Sequence, residues 1–179
     1  MSHVVARIKE LALTPTETLE ETVRTGDLQS LTQVMTNFRC NVSGAVVAAA
    51  RSGRVDMLEI LLAEKNRKLN DEECNYEHEE REDDEFLVEA ATLAARRGCL
   101  EAVRLLHDSV YYYDSKNNSL WLVLEEAASR GHVDVVRYAG ESLHDCDDDF
   151  IDCTTDRSWE TCRALALAIS GGHVDVVEF

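Results

Sequence analysis

Asp145, Asp147, Asp149 and Asp156 stand at positions 1, 3, 5 and 12 of a short acidic stretch. Carboxylates at that spacing can converge on a calcium ion, as in a helix-flanked calcium loop. Such a loop needs glycine at its sixth position for the sharp turn, and this chain has Phe150 there. The final bidentate glutamate is replaced by the shorter Asp156. Calcium binding by the Asp145–Asp156 loop, as a sensor or ordering switch, is therefore the alternative reading and not the leading one. His144, Cys146, Cys153 and Cys162 are zinc-ligand types, but their intervals do not form the paired short knuckles of a zinc site. Cys74 and His78 make a thinner pair still. His132 and His173 each precede a Val-Asp step, which places a base beside an acid. No serine or cysteine stands in a nucleophile elbow, and no glycine-rich phosphate loop is present. The expectation is a protein without catalytic residues, metal site or cofactor.

The two histidines have a better explanation in what surrounds them. They lie in Gly131-His132-Val133-Asp134-Val135-Val136 and Gly172-His173-Val174-Asp175-Val176-Val177. Weaker copies begin at Gly26, Gly53 and Gly98. A residue type that recurs at one register position serves the repeat, so a turn-stabilising role is expected for both histidines. Small or apolar residues stand three and four places before most of these glycines: Ala49-Ala50, Ala94-Ala95, Ala127-Ala128 and Ala168-Ile169. Small side chains let one helix approach the next, and glycine then ends the helix by taking positive φ. Two, five and eight places after the glycine the chain is mostly apolar, as in Val55, Leu58, Leu61 and in Leu100, Val103, Leu106. That spacing is one face of a second helix. Each unit thus reads as helix, tight corner, antiparallel helix.

The run Ala127-Ala128-Ser129-Arg130-Gly131-His132-Val133-Asp134-Val135-Val136 resembles the second half of the ankyrin repeat, and all five units align with it. The family's Thr-Pro-Leu-His opening is absent, as is its Gly-Ala-Asp-Val-Asn hairpin signal, which puts regular β-hairpin fingers in doubt. The resemblance implies an all-α solenoid of about five helix–turn–helix repeats that binds other proteins through its loops and inner helices. One domain is expected over residues 1–179, with units near 15–40, 41–69, 86–114, 119–144 and 158–179 and acidic insertions at 70–85 and 145–157.

The net charge of -17 sits in those insertions. Residues 70–86 carry ten acids and one arginine, and residues 145–156 carry six acids and no base, so the remainder is close to neutral. Such a surface repels nucleic acid phosphates and anionic lipid, so neither is an expected partner. It attracts cationic segments and speeds their association. The expected partner is a basic protein. Its contacts are expected at Asp71, Glu72, Glu73, Glu77, Glu79, Glu80, Asp83 and Asp84 in the first insertion and at Asp147, Asp148 and Asp149 in the second. Tyr111, Tyr112 and Tyr113 are added because tyrosine is enriched at binding hot spots. Trp121 and Trp159 are expected to fill gaps between repeats. Scattered cysteines and the lack of an apolar leader or long apolar run point to an intracellular setting, cytoplasmic or nuclear. The last unit stops seven residues past Gly172. Its face is expected to be open, as in a fragment of a longer array or a site of self-association.

Overall fold

The computed structural model describes residues 14–38, 40–71, 80–110, 113–145 and 157–179, and side chains over 14–38, 40–67, 85–110, 118–143 and 162–179. These form ten helices: α1 Pro15–Thr25, α2 Leu28–Asn37, α3 Ser43–Ser52, α4 Val55–Asp71, α5 Glu80–Arg96, α6 Leu100–Ser109, α7 Tyr113–Arg130, α8 Val133–Asp145, α9 Arg157–Gly171 and α10 Val174–Glu178. No strand occurs among the described residues. The helices pair as five hairpins. The odd-numbered helices pack on one another as an inner row, α1 on α3, α3 on α5, α5 on α7 and α7 on α9. In the outer row α4 packs on α6, α6 on α8 and α8 on α10.

The corner chemistry explains why the chain turns where it does. Gly26, Gly53, Gly98, Gly131 and Gly172 all have φ between 70° and 81°. Only glycine enters that left-handed region without a Cβ penalty. At Gly131 the corner closes by two backbone bonds, Gly131 N–H to the Ala128 carbonyl at 3.3 Å and His132 N–H to the Ala127 carbonyl at 3.0 Å. The same pair of bonds recurs at Gly53, Gly98 and Gly172. This is the Schellman closure, which satisfies carbonyls a helix end otherwise leaves unpaired. The first corner is reached from a well-started helix. Thr14 accepts from the Glu17 N–H at 3.2 Å while Glu17 accepts from the Thr14 N–H at 2.7 Å, a capping box followed by Pro15.

The core is one continuous seam. Ala49, Ala50, Ala94, Ala95, Ala127, Ala128 and Ala168 are all buried, so the small-residue positions before each corner are where the inner helices touch. From the outer row, Leu31, Leu58, Val103 and Val136 are buried five places after the glycine, and Val34, Leu61, Leu106 and Ala139 eight places after it. The positions two after the glycine are less enclosed: Val55, Leu100 and Val133 are half-buried, and Leu28 and Val174 are exposed. Trp121 is half-buried against the core, which is the gap-filling role expected of it. It sits in the middle of α7, which starts at Tyr113. The first acidic insertion is also shorter than its sequence bounds, since α4 runs to Asp71 and α5 begins at Glu80. Trp159 lies outside the described side chains.

Candidate functional site

Three surfaces of this stack can meet a partner, and each is defined by the hairpin geometry. The first is the corner edge. A side chain from each following hairpin lies over the preceding corner glycine: Arg54 over Gly26, Arg97 over Gly53, His132 over Gly98 and His173 over Gly131. The histidines do more than cover. His132 Nε2–H donates to the Arg96 carbonyl at 3.2 Å, and His173 Nε2–H donates to the Ser129 carbonyl at 3.0 Å. Each ring thus ties one corner to the next, which is turn stabilisation acting between repeats. Neither ring is paired with the acid two residues on, since its bond runs to a backbone carbonyl of the hairpin before it.

The second surface is the inner row of helices. Charges here are matched across neighbours: Arg51 with Glu89 at 3.9 Å, Arg96 with Glu126 at 2.7 Å and Arg163 with Glu125 at 3.3 Å. Arg96 meets both Glu126 carboxylate oxygens, at 2.7 and 3.3 Å. The hydrogen bond and then the charge of Glu126 hold the Arg96 proton more tightly than usual. On the outer row, His107 Nδ1 and the Tyr138 hydroxyl share a 2.8 Å hydrogen bond, and the Arg104 guanidinium lies 5.2 Å from the Tyr138 ring centre. Burial pushes the Tyr138 hydroxyl pKa up, opposed by a hydrogen bond from Ser142. An open groove of about 540 Å³ runs between α2 and α4 over Met35, Ile60 and Ala63.

The third surface is the edge where each outer helix hands the chain to the next inner helix. Stacked corners require the other ends of the hairpins to stack as well. The ends of α4, α6 and α8 and the starts of α5, α7 and α9 therefore share this edge. Of the expected contact residues, Asp71 closes α4, Glu80, Asp83 and Asp84 lie in the first turns of α5, and Tyr113 opens α7. Glu72, Glu73, Glu77, Glu79, Tyr111, Tyr112, Asp147, Asp148 and Asp149 fall outside the described residues. So do nearly all of the calcium-like loop, of which only the backbone of Asp145 is described, and Cys146 and Cys153 of the zinc reading. Cys162 is exposed on α9. Among the described residues no cluster of three or more histidines, cysteines or carboxylates is arranged to hold a metal ion. None of the described helices is long and apolar enough to cross a membrane.

What the sequence did not signal is the inter-repeat bond of the histidines. The repeated Gly-His marked their importance, but the acceptors are 36 and 44 residues away. The matched inner charges were equally hidden, because Arg96 and Glu126 meet only once α5 and α7 are parallel neighbours.

Comparison with known families agrees with this geometry. The family model for ankyrin repeats, described as three copies, matches residues 46–149. No curated protein matches the chain significantly.

Proposed function

The chain belongs to the ankyrin repeat family, whose members are generic protein–protein interaction modules and typically non-enzymatic, and from that premise we propose that it recruits a basic protein segment through its acidic edge. The observation that supports this most is topological. Both acidic insertions and the Tyr111–Tyr113 run span the passage from an outer helix to the next inner helix, and the hairpin ends flanking them share one edge of the stack. Ten acids in residues 70–86 and six in residues 145–156 would then be offered from one side of a scaffold whose remaining sequence is nearly neutral. A negative rim of this kind steers cationic partners and raises association rates. On the inner row, three arginines are already matched to glutamates of neighbouring helices.

The test is binding of a Lys/Arg-rich peptide followed by calorimetry at several salt concentrations. Affinity falls by about tenfold or more between ~50 mM and ~300 mM salt, since exposed charges more than a Debye length apart are screened. Deleting residues 71–85 removes most of the salt dependence. An affinity indifferent to salt, or unchanged by the deletion, refutes the acidic edge as the recruiting surface.

A further inference from the structure

The outer row is not evenly packed. α4 rests on α6, α6 on α8 and α8 on α10, but among the described residues α2 and α4 barely meet. The space left between them is the groove of about 540 Å³. α2, α4 and α6 all begin two residues after a corner glycine, yet α4 has 17 residues where its neighbours have 10 each. Counted from the corners, α4 outlasts both by about 10 Å of helical rise. The groove occupies this far half of the row. It is bounded by α2 from Thr32 to Thr36 and by α4 from Ile60 to Arg67, next to the edge where outer helices hand the chain to inner ones.

Its lining is apolar, with the polar groups already engaged. Met35 and Ile60 are half-buried against the core, and Ala63 is exposed beside them. The Thr32 and Thr36 hydroxyls donate to the Leu28 and Thr32 carbonyls of their own helix, at 2.9 and 2.7 Å. Arg67, the cation of the lining, donates to both carboxylate oxygens of Glu64, at 2.9 and 2.7 Å. An anionic ligand would have to displace Glu64 to reach it. An apolar side chain meets surface that can be dehydrated without stranding a polar group.

One turn beyond Arg67, α4 ends at Asp71, and the next residues in sequence are Glu72 and Glu73 of the acidic insertion. Ala63 and Asp71 are about 12 Å apart along the helix axis. A single helix therefore joins the apolar slot to the start of the acid run. From this juxtaposition we infer that the groove anchors the basic partner by taking an amphipathic helix from it. Apolar residues one turn apart on that helix enter between α2 and α4, and a Lys/Arg cluster about two turns further along meets the acids that follow α4. The inference rests on the acidic edge recruiting a cationic segment and adds the apolar side chains that must stand beside the charge. Charge complementarity also sets the direction, with the cationic end of the partner helix towards Asp71. A second copy of this chain does not fit the slot in this way, because at a net charge of -17 it brings acid against acid.

The test uses the full chain and a helical peptide with two leucines one turn apart and a Lys/Arg cluster about two turns further on, followed by calorimetry. Replacing both leucines by serine weakens binding about tenfold or more and leaves its salt dependence unchanged. Ala63→Gln and Thr36→Gln, which put neutral polar chains into the groove from exposed positions, do the same, with circular dichroism checking that each variant is folded. Deleting residues 71–85 has the opposite signature: it flattens the salt dependence and keeps the leucine effect. Moving the cluster to the other side of the leucines weakens binding about tenfold. Bound peptide slows amide exchange in α2 and α4 about tenfold or more and leaves α8 unchanged. Binding that keeps its salt dependence but ignores the leucines and both groove variants overturns the anchor and leaves the acidic edge standing. Binding that needs the leucines and Ala63 but ignores salt overturns the acidic edge, and the paired arrangement with it. Equal binding of the two cluster positions, or protection confined to other helices, also overturns the inference.

Discussion

Replacing a corner glycine by alanine separates backbone strain from the histidine ties. At Gly98 the φ of +72° carries a penalty of about 1–2 kcal/mol for any residue with a Cβ. The new methyl would also stand 2.5 Å from His132 Nδ1 and 2.8 Å from two ring carbons. The ring must swing away, and its bond to the Arg96 carbonyl goes with it, a further loss of about 1 kcal/mol plus the contacts of the displaced ring. Gly98→Ala is therefore expected to destabilise by about 2–4 kcal/mol, and Gly131→Ala, beneath His173, by a similar amount. Gly53→Ala is the control. It has the same left-handed backbone, but its neighbour is the guanidinium end of Arg97 at 3.3 Å, a flexible group with room to move. Its loss is the strain alone, about 1–2 kcal/mol. Denaturant unfolding followed by far-ultraviolet circular dichroism reads the difference. In a His132→Ala background the Gly98→Ala penalty should fall back to the Gly53→Ala value, a coupling of about 1–2 kcal/mol. Equal losses at Gly53 and Gly98, or no coupling with His132, would refute the claim that the histidine rings hold the corners together.

Three further outcomes follow from individual contacts. Thr14→Ala removes the capping box of α1 and lowers stability by about 1 kcal/mol near neutral pH. The backbone N–H of Thr14 and then its hydroxyl hold the Glu17 pKa below its ordinary 4.5. Alanine removes only the hydroxyl's share, which is complete above that value and fades as pH falls through the folded-state pKa, while the loss of the bond to the Glu17 N–H is the same at every pH. Acid titration of unfolding in the two proteins checks it. Glu126→Gln lowers the denaturation midpoint only slightly in dilute buffer, because the pair with Arg96 is solvent-exposed, and the difference disappears at ~1 M salt. Tyr138→Phe loses the hydroxyl bond to His107 and destabilises by about 1 kcal/mol. Because burial raises the Tyr138 pKa, its neutral form favours the folded state. That advantage is present below pH 10.0, is lost as pH rises through the folded-state value, and is absent in the phenylalanine variant under alkaline denaturation.

How much of the fold the chain announces can be judged at its corners. Five glycines in phase, with alanines before them and an apolar face after them, predict five hairpins, and all five glycines take the left-handed conformation. Helix starts were not. Tyr113 and Glu80 begin helices inside stretches that read as links, since charged and polar residues are compatible with a helical first turn as well as with a loop. The residues expected to contact a partner lie mostly where sequence supplies charge but no local packing to specify their arrangement.

The amino-acid order by itself determined the unit: where each helix stops, which residues are small enough for close approach, and where the negative charge is concentrated. These are properties of short segments, set by glycine's backbone freedom and by helical periodicity. Only tertiary structure decided which groups meet between units. The bonds of His132 and His173 to carbonyls of the preceding hairpin, the pairing of Arg96 with Glu126 and the groove between Met35 and Ile60 all depend on how one hairpin sits on the next. That placement is fixed by packing over the whole stack, and no single repeat contains it.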